Sequence, residues 1–68
     1  MRNPERLNSF YDELKRIHKT YFPDWRFMQF IINYQRWQET HYHNDGFHLE
    51  EDAAMERIKE YIEWLKNW

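Results

Sequence analysis

Cysteine is absent from the 68 residues, glycine occurs once, and proline occurs twice. The lack of cysteine excludes disulfides and thiolate zinc sites, and it favours a reducing compartment, the cytoplasm. So little turn-forming punctuation excludes an all-β fold. No apolar run approaches the length needed to cross a bilayer, and no basic, apolar and small-residue leader pattern opens the chain. Ser9 is the only serine, so the usual nucleophile and base arrangements have little to draw on. No catalytic residue, cofactor or resident metal is expected, and the chain does not read as an enzyme.

What is present is aromatic and charged. Phe, Tyr and Trp make up 21% of the chain and Asp, Glu, Lys and Arg 32%. With few aliphatic residues, the core of so short a chain must be built from rings, each burying roughly 150–250 Å² when enclosed. The charge is unevenly spread. Residues 1–43 carry seven Lys or Arg against five Asp or Glu, and residues 44–68 carry three against seven. These opposite signs are expected to attract within the fold. The net charge of −2 gives no electrostatic reason for a nucleic-acid partner.

Spacing predicts three helices, near residues 4–20, 25–39 and 50–66, in one all-α domain spanning 1–68. Asn3, Pro4 and Glu5 form a helix start. Leu7, Phe10, Tyr11, Leu14, Ile17, His18 and Tyr21 then follow helical spacing in a stripe roughly 120° wide. An Asp12–Arg16 pair is expected on the outer side. Pro23 ends this helix by pushing Phe22 out of the α region, and Asp24 is placed to cap the next. In the third helix, Glu50, Glu51 and Asp52 meet the positive end of the helix dipole. Ala54, Met55, Ile58, Tyr61, Ile62 and Leu65 follow as an apolar stripe, widened by Trp64 and Trp68, with a Lys59–Glu63 pair outside it.

The segment Phe22–Trp37 is apolar on two sides. Phe27, Phe30, Ile31, Tyr34 and Trp37 form one stripe, and Trp25, Met28 and Ile32 another. This marks the second helix as the expected centre of the domain. Its first stripe is covered by the other two helices. The surplus of Trp25, Met28, Ile32, Trp64 and Trp68 is the candidate interaction face, larger than soluble monomers usually expose and suited to homodimer formation or another protein partner.

Arg26, Gln29 and Asn33 fill a polar seam between the two stripes. Arg26 is expected to pair with an acid such as Glu51 or Asp52, locking the preceding loop onto the second helix. The alternative role is recognition of a partner carboxylate or peptide backbone. In the connection at 41–48, His41, His43, Asp45 and His48 are metal-compatible residue types, but their spacing is not rigid, and no stoichiometric zinc or nickel site is expected. Asn44-Asp45-Gly46 is a turn. Phe47 and Leu49 are expected to tuck under the third helix as a hydrophobic staple. His18, on an apolar face, is expected to be packed and hydrogen-bonded.

The pattern Pro-Asp-x-Arg-hydrophobic-x-Gln, two apolar residues and Asn, then Asp-x-Phe and Glu-Asp, is carried here by Pro23, Asp24, Arg26, Phe27, Gln29, Ile31, Asn33, Asp45, Phe47, Glu51 and Asp52. Over about residues 10–65 the chain resembles a group of small bacterial and phage proteins without assigned function. The resemblance implies a small helical domain and lends weight to the polar seam, and it brings no catalytic residue and no ligand. Met28 departs from the pattern, which often has glycine there. The chain thus reads as a self-associating interaction module. The alternative is a nucleic-acid-associated accessory protein, using Arg2, Arg6, Lys15, Arg16, Lys19, Arg26 and Arg36 gathered on one side, with Tyr and Trp to stack on bases.

Overall fold

The computed structural model describes residues 2–68 and contains three helices, α1 (Arg6–Tyr21), α2 (Phe27–Tyr42) and α3 (Glu51–Lys66), with no strand among the described residues. Each boundary has a local cause. Before α1, the Asn3 side chain accepts from the Glu5 N–H at 3.0 Å. The Arg6, Leu7 and Asn8 amides reach back three residues, so the chain enters through a tight turn that precedes the regular helix. At the far end Phe22 leaves the helical region (φ −134°, ψ 48°), as a residue before proline should.

Helix α2 starts two residues later than expected. Its N-cap is Arg26, in extended conformation, and the Gln29 side chain accepts from the Arg26 N–H at 2.7 Å. Asp24 is therefore not the cap. The helix also runs on to Tyr42 and stops where His43 turns left-handed (φ 58°). Gly46 follows with φ 71°, and a Cβ built there would lie 3.1 Å from the Gln38 side-chain oxygen. Glycine is favoured there on both counts.

Helices α1 and α3 run side by side in the same direction. Arg2 pairs with Glu50 and Arg6 with Glu51 at their starts, each at 2.6 Å, and the Lys66 ammonium lies 5.1 Å from the Tyr21 ring at their ends. The basic first half and acidic last half of the chain thus meet within the fold. Helix α2 returns antiparallel: Gln38 and Tyr42 meet Arg57, and Tyr34 and Trp37 meet Tyr61. Two pairs form differently from the expected ones, Arg16 with Glu13 and Lys66 with Glu63.

The core holds Ile17, Phe22, Phe30, Trp37, Met55, Ile58, Tyr61 and Ile62, with Phe10, Leu14, Trp25, Ile31, Tyr34, Tyr42 and Leu65 packed around it. Tyr61 is its hub, with ring centroids 5.4 Å from Trp37, 5.8 Å from Tyr34 and 6.0 Å from Phe22. The aromatic-rich, all-α, three-helix architecture is as the sequence implies, but the central element is not. Four of the buried side chains belong to α3, which packs along both other helices. Among the described residues nothing covers the outer side of α2, where Met28 and Ile32 are exposed, so its second apolar stripe does not make it the centre.

Candidate functional site

The expected interaction residues divide into three places. Trp25 lies in the α1–α2 connection, half-buried, with its indole stacked on Phe22 at 4.5 Å and an interplanar angle of 6°. It is part of the packing under α2 and leaves the surface set. Met28 and Ile32, 56% and 42% exposed, stand one turn apart on the outer side of α2. Trp64 lies over Trp37 and His41, at 6.4 and 5.6 Å, and continues to Trp68 at 5.7 Å. Ile32 and Trp37 are five residues apart, roughly 140° round the helix. The outer stripe and the tryptophan pair are thus separate surfaces.

Trp68 is 88% exposed and Trp64 partly so. Together with the buried Trp37 they make a ladder of indoles running from the core to the surface. Glu56, Glu60 and Glu63, at i, i+4 and i+7 on α3, line the shallow depression beside Trp37 and Trp64 together with Lys59.

The polar seam is not an internal lock. Arg26 and Gln29 are exposed, and Asn33 is half-buried. The acids expected to hold Arg26 have other partners: Glu51 takes Arg6, and Asp52 accepts from the Ala53 N–H at 2.8 Å. Among the described residues Arg26 has no ion pair, so Gln29 is the seam's only member whose structural role is explicit.

The 43–50 connection is locked instead by its own turn and by Gln35, Gln38, Tyr42 and Arg57, which the sequence did not single out. Gln38, 1% exposed, donates to the Asn44 carbonyl at 2.9 Å and accepts from Arg57. The Arg57 guanidinium lies 3.7 Å from the centre of the Tyr42 ring, and the Tyr42 hydroxyl donates to Glu60. Gln35 donates to the Asp45 carbonyl at 2.7 Å. Asn44 and Asp45 close two side-chain turns onto the Gly46 and Phe47 amides. Leu49 is half-buried as expected, but Phe47 is 81% exposed, so the staple is only half formed.

The histidines are divided among these features. His18 Nε2 lies 2.7 Å from the Trp25 carbonyl and its ring 5.1 Å from Phe30, the packed role expected of it. His41 Nδ1 lies 3.0 Å from the Trp37 carbonyl, and His48 packs edge-on against Phe47. No group of three or more His, Cys, Asp or Glu converges on a metal-sized site among the described residues.

No family model, curated protein or solved structure matches the chain. Its chemistry has to be read from its own surfaces. The groove between α1 and α3 is lined by Glu13, Glu50, Glu51 and Asp52 among others. Its acids are engaged by Arg16, Arg2, Arg6 and the Ala53 amide in turn. Arg2–Glu50 and Arg6–Glu51 tie the starts of α1 and α3 together, while Glu13 and Asp52 are satisfied within their own helices.

Tyrosines dominate the titration behaviour. Burial pushes the Tyr34 hydroxyl up to about 12 and raises Tyr61. On Tyr42 the hydrogen bond to Glu60 is the main cause of a rise. In the unfolded chain a tyrosine ionises near 10. The folded state therefore holds the Tyr34 proton where the unfolded state has lost it. This contribution is full below pH about 10 and disappears as pH rises through about 12. Alkaline titration of stability should show a fall of about 1–2 kcal/mol over that window, discounted because the ring is partly exposed. In Tyr34→Phe the fall should be shallower, as read by urea denaturation at each pH.

Proposed function

We propose that this protein is a small, non-enzymatic interaction module that pairs with a second copy of itself through an aromatic surface. The observation that carries this reading is the Trp37–Trp64–Trp68 ladder, which brings the largest side chains from the core out to an 88% exposed ring. Tryptophan is enriched at interface centres because a large, rigid ring buries much apolar area at little entropic cost. Two-fold pairing is the commonest way to cover such a patch. The Met28–Ile32 stripe supplies a second apolar surface, suited to the same copy or to another protein. No helix among the described residues is long and apolar enough to cross a membrane. The absence of cysteine supports action in the reducing cytoplasm. The Pro23-to-Asp52 pattern is the basis for placing the chain among small bacterial or phage helical proteins.

Light scattering at micromolar concentration should return a dimer mass. Trp64→Ala combined with Trp68→Ala should shift the chain to monomer while leaving its helical circular dichroism intact. A folded wild-type monomer throughout the concentration range would sink the reading. Dissociation by Ile32→Glu, with the tryptophan variant still dimeric, would move the seam to the outer side of α2.

A further inference from the structure

A second groove lies between α1 and α2, on the side of the molecule away from the tryptophan ladder. Tyr11 on α1 and Phe27 on α2 form its walls, Phe30 lies beneath, and its volume is about 250 Å³. Tyr11 and Phe27 were both expected in the core, yet they are 58% and 57% exposed. Phe10 packs at right angles to Tyr11, with 5.3 Å between ring centroids, and braces that ring without covering it. Lys15 and Lys19, one turn apart on α1, stand on the rim, and no acid lines the groove. Among the described residues neither lysine has an ion pair, whereas Arg2, Arg6 and Arg16 each hold an acid. The adjoining surface of α1 adds Arg16 and a single acid, Asp12. Two rings without a cover thus stand beside two cations without an anion.

We propose that this groove binds single-stranded nucleic acid, a base entering between Tyr11 and Phe27 while Lys15 and Lys19 take the flanking phosphates. Single strands are held where exposed rings lie along a positive edge, because every base offers a face to stack and every nucleotide a charge to neutralise. The site is therefore tolerant of sequence. An acidic peptide would satisfy the lysines, but it gives no reason for both walls to be rings rather than aliphatic side chains. The net charge of −2 does not oppose binding here. The glutamates on the outer face of α3 lie across the domain, whose shortest dimension is 20 Å, and screening at physiological ionic strength acts over about 8 Å. The groove is separate from the tryptophan surface, and its role does not rest on the self-association reading.

Fluorescence anisotropy of a labelled oligothymidylate of about six nucleotides, a length matched to one site, tests this. A dissociation constant of about 0.1 mM is expected at about 50 mM salt, the weak end of non-specific binding. Two phosphate contacts should weaken it roughly sevenfold on going to about 200 mM salt, from a slope of about −0.7 per contact on single strands. Lys15→Gln combined with Lys19→Gln should remove most of that salt dependence. Tyr11→Leu and Phe27→Leu keep apolar packing but offer no stacking face, and each should weaken binding at least about fivefold with the salt slope unchanged. Circular dichroism checks that every variant folds. Trp64→Ala combined with Trp68→Ala should bind as the wild type does, so a failed dimer and a failed site are told apart. No binding at about 1 mM protein in about 50 mM salt overturns the proposal. So does binding that neither the glutamine nor the leucine variants change. Displacement by polyglutamate at least as effective as by unlabelled oligothymidylate, with the leucine variants unaffected, would assign the groove to an acidic protein partner instead.

Discussion

Trp37→Ala should cost about 3–5 kcal/mol, the range for emptying a large ring from a packed core, and leave a chain of this size mostly unfolded. Trp37 touches Tyr34, Tyr42, Tyr61, Trp64 and His41, so its loss removes the ring through which α2 meets α3. Trp37→Phe should behave differently. Among the described residues the buried indole N–H has no hydrogen-bond partner, so the native state already bears the cost of desolvating it. Phenylalanine removes that donor and loses only part of the packing. A cost of about 1 kcal/mol or less is expected, small beside that of alanine. Urea denaturation of both variants measures the difference. Equal and large losses would mean that the indole N–H is satisfied in solution, by an ordered water or by movement of a neighbour.

The second large effect is expected at Gln38. Gln38→Ala removes the acceptor of Arg57 and the donor to the Asn44 carbonyl and opens a gap beside Gly46. Losing hydrogen bonds to a charged group and a buried carbonyl, together with the side-chain volume, should cost about 2–4 kcal/mol. Gln38→Leu fills most of the gap but leaves the Asn44 carbonyl without its donor and Arg57 with only the Asn44 side chain and the Tyr42 ring, so it should recover little. Hydrogen exchange gives a separate readout: the Gly46 and Phe47 amides, which close the two side-chain turns, should lose protection in either variant. An Arg57→Ala, Gln38→Ala cycle should show a coupling of about 0.5–3 kcal/mol. Additive effects would mean that the loop is held by Gln35 and its own turns.

The helical faces were legible because each long stripe repeats at a single period. Phe10, Leu14 and Ile17 in α1, and Met55, Ile58, Tyr61 and Ile62 in α3, lie on the expected sides. Residues whose burial depends on something outside their own helix were not legible. Gln38 follows Tyr34 and Trp37 at core spacing, and only its amide makes it look exposed. It is buried because the 43–46 turn folds back over it, which no periodicity within α2 announces. Arg57 similarly sits in the α3 stripe between Ala54 and Ile58. Tyr11 and Phe27 err in the opposite direction: their spacing is that of core residues, but the helices part where they stand. Trp25 reads as surplus when assigned to α2 and as packing once the helix begins at Phe27. The candidate interaction face was therefore legible in kind but not in extent, with Trp64 and Trp68 together and Met28 and Ile32 elsewhere.

The side-by-side alignment of the first helix with the last has a consequence for the order in which the chain can assemble. Arg6 meets Glu51 across a sequence separation of 45 residues, and α1 lies closer along its length to α3 than to α2. During synthesis the apolar side of α1 leaves the ribosome first and waits longest for its cover. An α1–α2 hairpin alone lacks Met55, Ile58, Tyr61 and Ile62, half of the buried apolar core. Closing so long a loop carries an entropic cost that no early local contact offsets. The nascent chain should therefore remain open until α3 has emerged, and then fold in a single cooperative step.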